Sequence, residues 1–222
     1  MNVRDALLAR KSVRAFLDTP VPRETIERVL DAARHAPSGA NMQPWRVVVV
    51  SGDAKMRLEA RMTREFRAGR RGRPDYPYYP EFWHSPYKER RVACGMQLYA
   101  ALGIAREDRP ARRAQWERNY RAFGAPVALF FFLDRRLASG SLLDYGMFLQ
   151  SVMLMAVEEG LATCPQAALA EYPDIVREEL RVADDFMLVC GMALGYEDGA
   201  HPVNGYRTPR EPVGAFTRFM SD

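Results

Sequence analysis

Apolar residues recur along the chain at helical and at strand spacing, and the switches between the two mark out most of its elements. Val3, Ala6 and Leu7 fall at i, i+3 and i+4, the stripe of a short helix that delivers Arg10 at its C-terminal end. Ile26, Val29, Leu30 and Ala33 predict a second helix over 22–36, with Pro22 in its first turn, Glu24 close behind and Pro37 as its stop. Four consecutive valines, 47–50, predict a strand from Arg46 that is buried on both faces. Leu58, Met62 and Phe66 place a helix over about 53–68, and two more are read at 88–102 and 110–123, the latter capped by Asp108. Val127–Leu133 reads as a buried strand and Phe186–Tyr196 as a central one, in which Gly191 and Gly195 suggest close backbone approach. Between them, Ser141 caps a helix ending at Gly160 that is apolar around almost its whole circumference, so it is buried in a core or between subunits. Residues 161–169 form a link containing Pro165, and 173–180 a short helix.

Two segments have no period. Residues 69–87 begin with the basic breaker Gly69-Arg70-Arg71-Gly72-Arg73-Pro74 and continue with Tyr76, Tyr78, Tyr79, Phe82, Trp83 and Tyr87 among further prolines, which rule out a regular helix. A loop of this length in a compact domain serves either as a lid over a binding site or as an Ω-like loop packed on its own aromatics. The tail, 197–222, is rich in proline and glycine and must lie on another surface, its own or a partner's. No linker or repeat divides the chain, so one domain over 1–222 is expected.

Composition narrows the class. Hydrophobic residues make up 48% of the 222, enough for a sizeable core. The three cysteines, Cys94, Cys164 and Cys190, are far apart and form no CxxC, which points to a reducing, cytoplasmic setting and away from a disulfide framework or structural zinc. No signal peptide is evident, and the apolar run 142–157 is interrupted by Asp144, Gln150 and Ser151, short of the ~18 uninterrupted residues of a membrane helix. There is no GxSxG, P-loop or GxGxxG, no histidine at metal-ligand spacing, and the adjacent acid pairs face apart. An enzyme built on this chain would leave the hard chemistry to a bound cofactor, with no metal.

The densest cluster of chemistry is Arg10-Lys11-Ser12-Val13-Arg14-Ala15-Phe16. If 12–16 is extended, Ser12 and Arg14 share one face and Val13 and Ala15 the other. Cations and a hydroxyl on one face suit an anion with a phosphate end, because arginine forks onto phosphate oxygens; a solvated basic helix end is the plainer reading. Three further stretches stand with it: Ala36-Pro37-Ser38-Gly39-Ala40-Asn41-Met42-Gln43-Pro44-Trp45, Gly160-Leu161-Ala162-Thr163-Cys164-Pro165-Gln166-Ala167-Ala168, and Asn204-Gly205-Tyr206-Arg207-Thr208-Pro209-Arg210-Glu211-Pro212. In order and spacing the four together resemble the FMN-dependent nitroreductase family. The tail motif and Asp144-Tyr145-Gly146-x-Phe148-Leu149-Gln150 resemble its nitrobenzoate- and nitroaromatic-reducing branch.

The resemblance implies an α+β three-layer sandwich with a mostly antiparallel central sheet, assembled as a homodimer with FMN at the interface and the C-terminal tail swapped across the partner. It implies that Arg10, Ser12 and Arg210, with Arg207 as a second candidate, hold the ribityl phosphate. Arg14 would lie toward the pyrimidine edge, and Pro37, Ser38, Gly39 and Asn41 would come from the other subunit. The backbone of Pro165, Gln166 and Ala167 would pass the ring edge near N5. Lys11 belongs to the cofactor-binding stretch but is given no ligand role of its own. The reaction implied is a ping-pong hydride relay from NAD(P)H to a nitroaromatic or related acceptor. Tyr76, Tyr79, Phe82 and Trp83 are the candidates for substrate choice.

Three rivals remain at this level. The same fold also supports dehalogenation, flavin fragmentation, and enone or quinone reduction. A flavoprotein without turnover is a second possibility. A nucleic-acid-binding module using Arg61–Arg73 and the basic helix 110–123 is a third, weakened by the interrupting acids Glu59, Glu65 and Glu117.

Overall fold

The computed structural model describes residues 1–221. Its helices and strands run α1 (Val3–Ala9), α2 (Arg23–Ala33), β1 (Arg46–Ser51), α3 (Gly52–Arg67), α4 (Tyr87–Ala101), α5 (Arg109–Glu117), β2 (Val127–Asp134), α6 (Gly140–Glu158), β3 (Ala162–Gln166), α7 (Pro173–Leu180) and β4 (Phe186–Gly195). The strands form one sheet in the order β1-β2-β4-β3, and each neighbouring pair is antiparallel. The apolar run of β2 is explained by its central place, since its alternating side chains enter two different cores. Phe130 and Phe132 pack with Leu58, Met62, Tyr120, Leu169 and Val176 on one face. Leu129, Phe131 and Leu133 pack with Val29, Tyr145, Phe148 and Val152 on the other. The result is the α+β sandwich that the resemblance implies.

Four local expectations are corrected. β1 is an edge strand, not one buried on both faces: Val49 is 41% exposed, and among the described residues β1 pairs with β2 alone. The link 161–169 contains strand β3, and Pro165 is tolerated there because β3 too lies at the edge of the sheet. The basic helix stops at Glu117, since Ala122 and Phe123 adopt left-handed φ of 44° and 55° in the turn that follows. Ser141 lies inside α6, and the N-cap residue Ser139 makes no side-chain cap bond. The capping role of Asp108 holds, its carboxylate accepting the Ala111 N–H at 2.9 Å.

By length and composition α6 would pass for a membrane-crossing helix. In the fold it packs on α2 and the sheet, with Tyr145, Phe148, Val152 and Ala156 inside the core and Leu143 left 73% exposed. α4 has no buried residue at all. The structure therefore leaves apolar faces open on two helices and one sheet edge.

Pairing between β2 and β4 slips at Phe131/Phe132, so Cys190 and Leu188 find partners and Val189 does not, the signature of a β-bulge. Close approach sets Gly191, where an added Cβ would lie 2.5 Å from Leu169 Cδ1. Gly191→Ala is expected to cost about 1–3 kcal/mol, as overpacking of a close-packed core does. Urea denaturation checks it, with a fall in midpoint at unchanged slope.

Candidate active site

Asn2 caps α1 through its side chain, and the chain leaves the helix at Arg10. Ser12 then bridges Thr163 of β3 in parallel, and the Val13 N–H donates to the Thr163 carbonyl at 3.0 Å. By Phe16 the segment has crossed to the extension of β4: Phe16 bridges Glu197, and the Leu17 N–H donates to the Tyr196 carbonyl at 2.9 Å. Val13 and Ala15 are buried, which leaves Ser12 and Arg14 to the opposite face as the alternation predicts.

Arg10 meets Arg207 and Arg210 at this place. Burial, then the Arg210 and Arg207 charges, hold the Arg10 guanidinium below its ordinary range. Arg207 donates to the carbonyls of Ala9 and Arg10, which fixes the tail against the end of α1, while Arg210 bonds within the tail to Thr208 and Pro209. Among the described residues no carboxylate forms an ion pair with any of the three. Converging, uncompensated guanidinium groups are unfavourable unless an anion joins them, and a phosphate accepts from several at once.

Lys11 turns elsewhere. Its ammonium lies 2.6 Å from Glu197 Oε1 and donates to the Asn204 carbonyl at 2.6 Å, so it ties the segment to the tail. Arg14 has no ion pair among the described residues, and one guanidinium nitrogen donates to the Ser12 carbonyl at 3.3 Å. Beside it lies Cys164, whose thiol burial pushes up to about 11 against the pull of Arg14, the Ser12 hydroxyl and Arg10. The thiol stays protonated there and adds no charge. The Tyr206 hydroxyl is buried without a protein partner, within the influence of Arg14.

The 37–45 loop is built under strain. Ala40, Asn41 and Gln43 have φ of 49°, 57° and 49°, a region costly for ordinary side chains and common at ligand-holding turns. Several contacts hold it. Gly39 N–H donates to the buried Asp144 carboxylate at 3.2 Å, and Gln43 N–H to the Ser38 hydroxyl at 2.9 Å. Trp45 stacks on Phe148 with ring centroids 4.8 Å apart. The Tyr145 hydroxyl accepts the Arg46 N–H and donates to the Phe132 carbonyl, fixing where the loop enters β1. No hydrogen bond among the described residues joins this loop to the 10–16 segment of the same chain. Gln166, 4% exposed, donates from Nε2 to the Asn119 carbonyl at 3.0 Å, and its Oε1 has no protein partner.

Residues 69–87 divide in two. The first half is anchored: Asp75 pairs with Arg177 at 2.6 Å and Arg135 at 2.5 Å and accepts the Leu188 N–H at 2.7 Å. The Tyr76 hydroxyl donates at 2.8 Å to Val189, the residue the bulge leaves unpaired. Gly72 presses on the Glu171 carbonyl, where a Cβ would sit 1.6 Å away. The second half carries Tyr78, Tyr79 and Phe82, all more than half exposed, and Trp83, with Tyr79 and Trp83 5.5 Å apart and Arg91 over the Trp83 ring. The exposed aromatics of the segment therefore stand on an ionic anchor. The basic surface considered for nucleic acid is interrupted by ion pairs, Arg61 pairing with Glu178 and Glu179, Arg70 with Glu65, and Arg67 and Arg121 with Glu117.

A sandwich with one antiparallel sheet, an arginine cluster built from both ends of the chain and a strained loop beside an apolar helix defines the nitroreductase class. The model of the Nitroreductase family matches residues 7–196, and the chain belongs to that family. It is 40% identical over 221 residues to the nitrobenzene nitroreductase of Ectopseudomonas oleovorans, covering 99% of this chain and 97% of that one. It is also 40% identical to the 4-nitrobenzoate reductase of Nocardioides sp., covering 98% and 90%. Among solved structures it is similar to the FMN and NADPH-dependent nitroreductase NfnB from Sphigopyxis sp. strain HMH, at 42% identity and a TM-score of 0.97 over the whole of both chains. The FMN-dependent NfnB from Mycobacterium smegmatis, solved with NADPH, aligns at 37% identity and a TM-score of 0.93, covering 99% of this chain and 100% of that one.

Sequence reasoning assigned no role to Asn204, Tyr206, Asp75 or Cys164, although Asn204 and Tyr206 lie inside a motif it used. The contacts of Asn204 and Asp75 reach across more than a hundred positions, so no local period signals them. Burial alone would raise the Asp75 pKa, but the Leu188 N–H, Arg135 and Arg177 outweigh it and hold the carboxyl below its usual value. Its stabilisation is therefore complete above the unfolded value of about 3.9 and is lost as pH falls through the lower folded value. Asp75→Asn should cost about 1–3 kcal/mol at neutral pH, because Arg177 keeps only the exposed carboxylates of Asp174 and Asp184 and the Leu188 N–H loses its charged acceptor. It should also flatten the acid limb of stability against pH, measured by thermal melts from pH 7 downward.

Proposed function

We propose that this chain is an FMN-dependent nitroreductase that works as a homodimer, passing reducing equivalents from NAD(P)H to nitroaromatic acceptors. The observation that carries the reading is the cluster of Arg10, Arg207 and Arg210, without an ion-paired carboxylate among the described residues, beside Ser12 where the basic segment pairs with the edge strand β3. This donor set fits a phosphate dianion. Arg10, Ser12 and Arg210, seconded by Arg207, would hold the ribityl phosphate. Pro37, Ser38, Gly39 and Asn41 of the partner subunit would pack on the ring and ribityl chain. That fits a strained loop with no hydrogen bond to its own chain's basic segment. When bound, FMN supplies a ring that accepts hydride from a nicotinamide and yields it to the acceptor.

The chain's own residues orient and tune that chemistry. Arg14 places a fixed cation toward the pyrimidine edge, where negative charge accumulates on reduction. The backbone of Gln166 and Ala167, with Pro165 before it, lines the ring edge near N5. Tyr79, Phe82 and Trp83 offer faces on which a flat acceptor stacks, while Tyr76 holds their base. Arg71 and Arg73, exposed and without ion pairs among the described residues, favour a carboxylate-bearing acceptor or the phosphates of the donor. The exposed faces of α4 and α6, the free edge of β1 and the exposed tail residues Val213, Phe216, Phe219 and Met220 support a dimer in which the tail crosses to the partner. A cytoplasmic setting is consistent with three free cysteines.

The deciding experiment is the absorbance of the purified protein. A yellow dimer, bleached anaerobically by NADPH or NADH and recoloured by 4-nitrobenzoate, is expected. A colourless chain that takes up no FMN, or a stable flavin-loaded monomer in sedimentation, overturns the reading. Arg10→Ala and Arg210→Ala should each weaken FMN binding about 10–100-fold, the size of a lost charge-assisted hydrogen bond, as measured by flavin fluorescence titration.

Tyr79→Ala, Phe82→Ala and Trp83→Ala should leave FMN content unchanged while shifting kcat/KM unequally among nitroaromatics. Each stacking contact is worth about 0.5–1.5 kcal/mol, or roughly 2–10-fold. Equal losses for every acceptor would make the segment structural. Tyr76→Ala should instead lower thermal stability.

A further inference from the structure

We infer that Asn204 is the positioning residue for Arg14, standing in for a peptide unit that the sheet does not supply. The inference rests on the reading of Arg14 given above and adds to it what holds that cation in place.

The basic segment changes partners at Arg14. Before it, Val13 N–H is paired with Thr163 of β3; after it, Leu17 N–H is paired with Tyr196 beyond β4. Between the two, the Arg14 N–H has no strand carbonyl to meet. A buried N–H left unpaired is costly, so something must accept from it. The Asn204 side chain does, its Oδ1 lying 2.9 Å from Arg14 N. The same amide donates from Nδ2 to the Ala15 carbonyl at 2.9 Å and to the Asp198 carbonyl at 2.9 Å. The Asn204 carbonyl in turn accepts from Lys11 Nζ. With one acceptor and two donors all in use, a carboxamide is the side chain this gap fits. Asn204 is 3% exposed, and its neighbour Val203 is buried. The amide thus joins the peptide before Arg14 and the one after Ala15 to the chain that leads into the tail.

The guanidinium of Arg14 itself is only lightly held, by the Ser12 carbonyl at 3.3 Å and by no carboxylate among the described residues. Its direction is therefore set from its main chain, and the main chain is set by Asn204. Loss of the amide should let the cation drift and weaken its effect on the ring.

The test is a set of midpoint potentials measured on the FMN-loaded dimer. Asn204→Ala is expected to lower the flavin potential in the same direction as Arg14→Ala, by a smaller amount. In the double variant the potential should equal that of Arg14→Ala alone. Asn204→Gln keeps a neutral carboxamide displaced by one methylene and adds no charge. It should lower the potential less than Asn204→Ala, and it serves where the alanine variant does not fold. A lower melting temperature with an unchanged potential in the loaded variants overturns the inference and leaves Asn204 merely structural. A further fall of potential in the Arg14→Ala background also overturns it, since Asn204 would then act by another route. If Arg14→Ala alone leaves the potential unchanged, the fault lies in the placement of Arg14 at the ring, and the inference falls with it.

Discussion

Three guanidinium groups from the two ends of the chain converge with no ion-paired carboxylate among the described residues, and the site proposed for the cofactor is arranged around that charge. Arg10 leaves a short helix whose outer face is exposed, and Arg207 and Arg210 arrive on a tail with almost no regular structure. Neither segment would sit still alone. They are fixed by Asn204, by Lys11 with Glu197, and by the pairing of 12–17 with β3 and the end of β4. The sheet thereby provides rigidity to a charge cluster that disfavours itself until an anion arrives.

A second constraint is incompleteness. α6 is too apolar for the surface it presents, α4 buries none of its residues, and β1 ends the sheet with valines partly exposed. Open sheet edges and apolar helix faces are aggregation hazards unless covered. A partner subunit covers them in the dimeric reading, and the same partner brings the strained 37–45 loop to the cofactor. Assembly and cofactor binding then depend on the same surfaces.

The 69–87 segment shows how a loop without periodicity can still be rigid at its base. Asp75, Tyr76 and Gly72 each meet backbone of the core, and the β2–β4 bulge frees the Val189 carbonyl that Tyr76 uses. Tyr79, Phe82 and Trp83 project from that base, Tyr79 and Phe82 more than half exposed and Trp83 packed against Tyr79 and Arg91.

Local periodicity sufficed for α2, α3, β2, β4 and the over-apolar α6, since each repeats its signal within a dozen residues. The four motifs, taken in order, were enough to point to the family. The tertiary structure decided the rest. It turned four valines into an edge strand and a proline-containing link into β3, because burial depends on neighbours and not on the strand's own composition. It gave Lys11 to Glu197 while leaving Arg10 uncompensated, a distinction that two adjacent cations cannot carry in sequence. It brought Asn204 to Arg14 and Asp75 to Arg177 across 190 and 102 positions. Hydrogen bonds and ion pairs form between groups that folding makes neighbours, and only the packed sheet determines which groups those are.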